Sequence, residues 1–252
     1  MIPDPIPAAT LLLMRHAHAP GAPPEILMVE RGAALAFLGG AMVFPGGRVD
    51  PGDHALVSAD ATDPADEAAR IAAIRETIEE VGLPVGLSPH PGRDTVARLR
   101  ATMVEGRSFA AGLRDESLHL DPGALTPFAR WCPEHVPVRR FDARFYLAAV
   151  SRDASAPVID GGETVRAEWL TAADALAQAD RGAIRIIFPT RRTLERLAQY
   201  PDIATAMADA HAWPIRRIIP FRADRGGVPC ICIPDDLGYP VTAEPVARAE
   251  RG

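Results

Sequence analysis

A chain of 252 residues, 48% apolar and 24% charged, carries enough apolar material for one large domain or a core domain with additions. Its net charge of −6 disfavours wholesale nucleic-acid binding, and all 27 basic residues are arginine. The absence of lysine excludes P-loop, Schiff-base and pyridoxal-phosphate chemistry and leaves arginine to grip phosphates, a task its planar fork suits.

In chain order, the short apolar runs "ATLLLMR" and "EILMVERG", separated by the turn-rich "HAPGAPP", predict two strands. The run from 8 to 14 is too short for a membrane span or a signal segment, and the end "ARAERG" carries no targeting tripeptide. Cys132, Cys230 and Cys232 are odd in number and lack metal-type spacing, as expected of reduced bystanders in a cytoplasmic protein. "AMVFPGGRVDPGD" reads as a strand end entering a Gly/Pro-rich loop. A helix is then predicted over about 64–81. Asp63 is its N-cap, Pro64 stands at N1, Asp66 sits in a capping-box-like position and Gly82 lies just past the end. Residues 94–116 predict a polar helical insertion, placed around 86–128. "FDARFYLAAV" predicts a strand, and "ETVRAEWLTAADALAQA" a strand leading into a helix capped by Thr171. One or two helices and two strands around a Gly-Gly turn form a C-terminal extension around 188–240. Alternating strands and helices predict a single domain over 1–252 of α/β (α+β) class, a sandwich without internal repeats.

"IRETIEEVGL", residues 74–83, holds the chemistry. Glu76, Glu79 and Glu80 share one helical stripe, with Arg75 within i+4 reach of Glu79 and Ile71, Ile74 and Ile78 on the adjoining buried face. Carboxylates this close repel one another. A solvated acidic face is one reading, but no lysine is nearby to relieve the repulsion. A hard divalent cation, Mg²⁺ or Mn²⁺, would do so and is commonly held between carboxylates and substrate phosphates.

"RETIEEVGL" resembles the closing half of the Nudix box, G-x5-E-x7-R-E-U-x-E-E-x-G-U. Counting back eight from Arg75 gives Glu67 for the first glutamate, but position 61, where the glycine should fall, is Ala61. The suitable glycines are Gly46 and Gly47. Gly47 to Glu67 spans 20 positions where the pattern has 6, so 14 residues are inserted. A split box, with "FPGGRVD", "LTPFARW…RRFDARFYLAAV" and "PTRRTLERLA", is similar to the acyl-coenzyme A diphosphatase branch of the Nudix superfamily, over about residues 10–240. The insertion is shorter here than in the animal enzymes of that branch.

The resemblance implies an α/β/α sandwich with a mixed sheet, and a metal-dependent hydrolase of nucleoside diphosphate derivatives. It implies Gly46, Glu76, Glu79 and Glu80 as metal ligands, with Glu76 alternatively placing the attacking water, and Glu67 and Arg75 as a structural pair. A second acid outside the box is sought at Glu163 or Asp142. Arg139, Arg140 and Arg191, with neighbouring Arg192, are candidates for gripping substrate phosphates. The expected partner is a small nucleotide, coenzyme A or its thioesters ahead of NADH and ADP-ribose, with no membrane partner and a homodimer allowed. Two rivals stand beside this reading. "LMRHAHA" looks like the Arg-His-Gly of histidine phosphatases, but Ala17 replaces the glycine. A non-catalytic nucleotide-binding module of the same fold would be free to lose the carboxylates that this chain retains.

Overall fold

The structure is a computed structural model, and the described residues are 4–35, 38–133, 140–154, 156–159 and 161–249. Its centre is a mixed sheet. β1 (Ile6–Arg15) pairs antiparallel with β2 (Glu25–Arg31) only at its end, through Met14↔Ile26 and Arg15↔Glu25. The two strands then splay. The wedge between them is filled by β3 (Met42–Val43) on β2 and β4 (Gly46–Arg48) on β1. A short helix α1 (Pro51–His54) and the long helix α2 (Pro64–Val81) follow.

β5 (Leu87–Ser88) pairs with β6 (His119–Leu120) around a helical hairpin, α3 (Arg93–Val104) and α4 (Phe109–Asp115). The predicted insertion is therefore helical at its centre. Its expected last residues, 126–128, instead belong to β7 (Thr126–Trp131), a strand of the main sheet antiparallel to β8 (Phe141–Ala149). Pro127 cannot donate to a ladder, and the sheet accommodates it with a register shift between Pro127 and Ala129. β8 runs parallel to β1, and β9 (Thr164–Thr171) pairs antiparallel with the other side of β2. Thr171 caps α5 (Ala172–Asp180), accepting from the Asp174 amide as expected. α6 (Phe188–Leu197) and α7 (Ile203–Ala212) lead to β10 (Arg217–Ile218), which joins β7. The predicted hairpin is β11 (Phe221–Arg225) and β12 (Val228–Cys232) around Gly226–Gly227, extended by β13 (Ala243–Pro245) and α8 (Val246–Ala249).

Two cores sandwich the sheet because side chains alternate along each strand. Leu11 and Leu13 of β1 pack with α2, α3 and α4, whereas Leu12 and Met14 pack with α5, α6 and α7. On α2, Ile71, Ile74 and Ile78 are fully buried, each worth about 1.5–3 kcal/mol. Ala68, Ala69, Ala72 and Ala73 let the helix lie close against the sheet. Asp63 accepts from the Ala65 and Asp66 amides, and Gly82 closes the helix at φ 64°. Asp66 does not complete a capping box. Its carboxylate instead binds Arg70, Arg144 and the Tyr146 hydroxyl. No helix among the described residues is long and apolar enough to cross a membrane.

Candidate active site

The splayed wedge delivers a backbone loop to the flank of α2. Gly46 has φ +153° against β1, and a Cβ there would lie 2.2 Å from the Ala9 carbonyl oxygen, so only glycine fits. At Gly47 a Cβ would lie 2.3 Å from the Glu76 carboxylate. The loop backbone thus lies directly against the helix's acidic stripe, and the Gly46 amide donates to Glu80 Oε2 at 3.1 Å.

Arg75 is the hub of the stripe. Its Nε and Nη2 grip the two oxygens of Asp53 at 2.9 Å each, Nη2 also reaches the Arg48 carbonyl, and Nη1 donates to Glu76 at 2.9 Å and Glu79 at 3.0 Å. Asp53 is 1% exposed. Glu67, expected as the partner of Arg75, is not: it lies more than two turns up the helix and accepts from the Ser58 amide at the surface. Asp53 occupies the place beside Arg75 instead. Gly47 to Asp53 is the pattern's own interval of 6, with aspartate for glutamate, and Asp53 to Arg75 spans 22 positions where the pattern has 8. Counting forward from Gly47 would have found Asp53; counting back from Arg75 met Glu67 by coincidence.

Burial dominates the electrostatics of the stripe. It pushes the Glu76 carboxyl up to about 7, with the neighbouring Glu79 charge adding to the rise and Arg75 opposing it. Glu80 rises to about 8 through burial and the charge of Glu76, and Glu79 is raised for the same first reason. Burial alone would lower the Arg75 value, but its bond to Asp53 and the fields of the acids around it keep it firmly charged. Among the described residues no three acidic, histidine or cysteine side chains already converge as a cation cage, because Arg75 stands between Glu76 and Glu79. The donor set still fits a hard divalent cation. It is all oxygen, Glu80 is buried and Glu76 and Glu79 are partly buried beside it, and Glu76 Oε2 and Glu79 Oε1 have no hydrogen bond among the described residues.

Of the acids sought outside the box, Glu163 is at the site. The Gly32 amide holds its carbonyl at 2.8 Å, and its carboxylate lies 3.6 Å from Arg31, whose other nitrogen is 3.9 Å from Glu80. Arg31 went unnoticed in the sequence because nothing in "VERG" separates it from any strand-end arginine. Asp142 is not at the site: Arg130 and Arg217 bind it, and these partners hold its carboxyl below the ordinary range against the opposing effect of burial. Arg139 lies outside the described residues. Arg140 immediately precedes β8, its carbonyl accepting from the Ile6 amide. Arg191 binds Asp180 at 2.9 Å on the far side of the sheet, where it lines a cavity of about 350 Å³ with Glu30 and Arg185. Arg192 is buried at 1% exposure beside Glu195 and Glu244. Arg191 and Arg192 are therefore not gathered at the carboxylates. His16 is exposed, and Arg15 is tied to Glu25 and stacked on Trp169, which leaves no phosphatase arrangement there.

No model of a protein family matches the chain. Over 191 residues it is 32% identical to a Caenorhabditis elegans protein named "Putative nudix hydrolase 7", covering 71% of this chain and 57% of that relative's length. It superposes with a TM-score of 0.70 on the crystal structure of a NUDIX hydrolase from Alicyclobacillus acidocaldarius, at 29% identity, covering 82% of this chain and 97% of that one. The chain has the Nudix fold, and curated and structural neighbours alike support the Nudix hydrolase superfamily.

Proposed function

We propose that this chain hydrolyses the pyrophosphate of a nucleoside diphosphate derivative with the aid of Mg²⁺ or Mn²⁺, and that coenzyme A or an acyl-CoA is its substrate, giving 3′,5′-ADP and a 4′-phosphopantetheine product. The observation that carries the reading is the buried carboxylate stripe of α2, ordered by Arg75 and Asp53 and pressed against Gly46–Gly47. Glu76, Glu79, Glu80 and the Gly46 carbonyl would hold the cation, which when bound supplies charge neutralisation of the pyrophosphate and activation of water. Arg75 keeps the stripe in register by binding one oxygen each of Glu76 and Glu79, leaving the other without a hydrogen bond among the described residues. Water adds to one phosphorus, the anhydride P–O bond breaks, and two phosphate monoesters leave. The proton lost by the water passes to a carboxylate. Glu163 suits that task because it is solvent-exposed and its use leaves the box acids free. Coenzyme A is favoured by the resemblance of the split box to the acyl-CoA diphosphatase branch.

Incubating the chain with CoA, acetyl-CoA, NADH and ADP-ribose, with Mg²⁺ or Mn²⁺, should release monophosphate products, CoA derivatives fastest. Glu80→Gln should remove most of that turnover. No product from any compound would sink the hydrolase reading; faster cleavage of NADH or ADP-ribose would sink the CoA assignment alone.

A further inference from the structure

Glu76, Glu79 and Glu80 sit in the last two turns of α2, and a helix frays from its ends. Arg75 and the Gly46 amide order their side chains, but the backbone beneath them needs partners of its own. The last turn contains no basic residue to oppose the negative end of the helix dipole. Of the terminal carbonyls, Ile78 accepts from the Gly82 amide at 3.0 Å and Val81 from the Val158 amide at 2.9 Å. Glu79 accepts from Arg100 Nη2 of α3 at 2.7 Å. Arg100 is half-buried, and its helix fixes where it can reach: Val96 and Leu99 of α3 lie in the same core as Ile78, Val81 and Leu83. α4 backs that contact at Gly112, where a Cβ would lie 2.5 Å from Leu99.

We propose that Arg100 is a positioning residue for the cation site: by holding the Glu79 carbonyl it fixes the end of α2, so that Glu79 and Glu80 meet the cation without first having to order the helix. This rests on the metal-dependent hydrolase reading and gives the α3–α4 hairpin a part in it. A guanidinium suits the position because it brings a donor for an orphan carbonyl and a positive charge to the negative end of the helix. Its bond is to the Glu79 backbone, which leaves the Glu79 carboxylate to Arg75 and the cation.

Arg100→Met, Arg100→Lys and Arg98→Met test the proposal. Arg98 stands on the same helix, exposed and bound to Glu116, and controls for the loss of an arginine from α3. Mn²⁺ affinity, measured by water-proton relaxation without substrate, should fall about 10-fold in Arg100→Met and stay unchanged in Arg98→Met. Arg100→Lys should recover most of it, since one carbonyl needs one charged donor and no fork. Hydrogen exchange of the segment 77–83 should quicken about 10-fold in Arg100→Met, while α3 and α4 exchange as in wild type. Raising the Mn²⁺ concentration should return the turnover of Arg100→Met toward that of wild type. Mn²⁺ affinity within twofold of wild type in folded Arg100→Met would overturn the proposal. Faster exchange throughout α3 and α4, or an equal loss in Arg98→Met, would do the same by showing that the hairpin matters only as packing. Arg100→Lys no better than Arg100→Met would overturn it as well. A wild-type chain whose Mn²⁺ affinity depends on Arg100 but which cleaves no pyrophosphate compound would instead leave Arg100 standing and remove the hydrolase reading.

Discussion

Asp53→Ala and Glu67→Ala separate the two ways of assembling the split motif. Asp53 is 1% exposed and takes two bonds from Arg75, and it also accepts from the Asp50 amide at 2.8 Å. Removing one partner of a buried, hydrogen-bonded ion pair costs about 3–5 kcal/mol. Arg75 retains Glu76, Glu79 and the Arg48 carbonyl, so the lower end of that range, about 3 kcal/mol, applies. In a chain of this size that lowers Tm by about 6–12 °C. The freed guanidinium also lets Glu76 and Glu79 move, and a displacement of an ångström is enough to slow turnover about 100-fold.

Glu67 holds one surface bond to the Ser58 amide, and its loss should cost under about 1 kcal/mol with turnover unchanged. Urea unfolding at pH 7 and initial rates on the best substrate measure both. Equal losses for the two variants, or a larger one for Glu67→Ala, would refute the assignment of Asp53 as the motif's first acid.

Gly47→Ala places a methyl 2.3 Å from the end of a flexible carboxylate, so Glu76 yields: turnover should drop at least tenfold while Tm falls little, whereas Gly46→Ala, against the Ala9 backbone, should also unfold the chain several degrees earlier. Asp209→Asn should cost about 2–3 kcal/mol at pH 7, because Arg196, 2% exposed, loses its carboxylate. Burial would raise the Asp209 carboxyl, but Tyr200 and Arg196 lower it below the ordinary 3.8. A depressed folded value means its stabilisation is present above about pH 4 and lost as pH falls through that value. The gap between wild type and Asp209→Asn should therefore narrow below pH 4 in acid titrations of stability; a constant gap would refute this.

What was legible in the sequence was what local chemistry decides. The caps at Asp63 and Thr171, the closing Gly82, the limits of α2 and the Arg75–Glu79 pair depend on residues within a turn of one another, and all appear as expected. β7 was missed because Pro127 lacks the ladder donor, and only a bulge opposite β8 makes room for it. Glu163 was found because its turn stood next to a readable strand, although its nearness to Arg31 comes from β2–β9 pairing, which no local pattern encodes. Asp53 and Arg31 were missed for one reason. Each meets a partner more than 20 positions away, Arg75 and Glu80 respectively, and spacing rules tuned to a continuous helix look elsewhere.

Helix geometry decides which acid can meet Arg75. Each residue added within a helix moves the chain about 1.5 Å along its axis, so Glu67 stands about 12 Å from Arg75 and cannot serve it. An acid that does reach Arg75 must approach from the side, on a separate segment, and α1 supplies it six residues after Gly47. After Asp53 the chain leaves the site and returns as the first turn of α2. There Asp66 fastens it to β8 through Arg144 and Tyr146, and Arg70 of the same helix reaches the Pro122 and Leu125 carbonyls. The first turns of α2 are thus anchored away from the carboxylate stripe. Gly47 lies against Glu76 and Asp53 binds Arg75, and the Asp53–Arg75 contact, being between side chains, is indifferent to the length of chain between them.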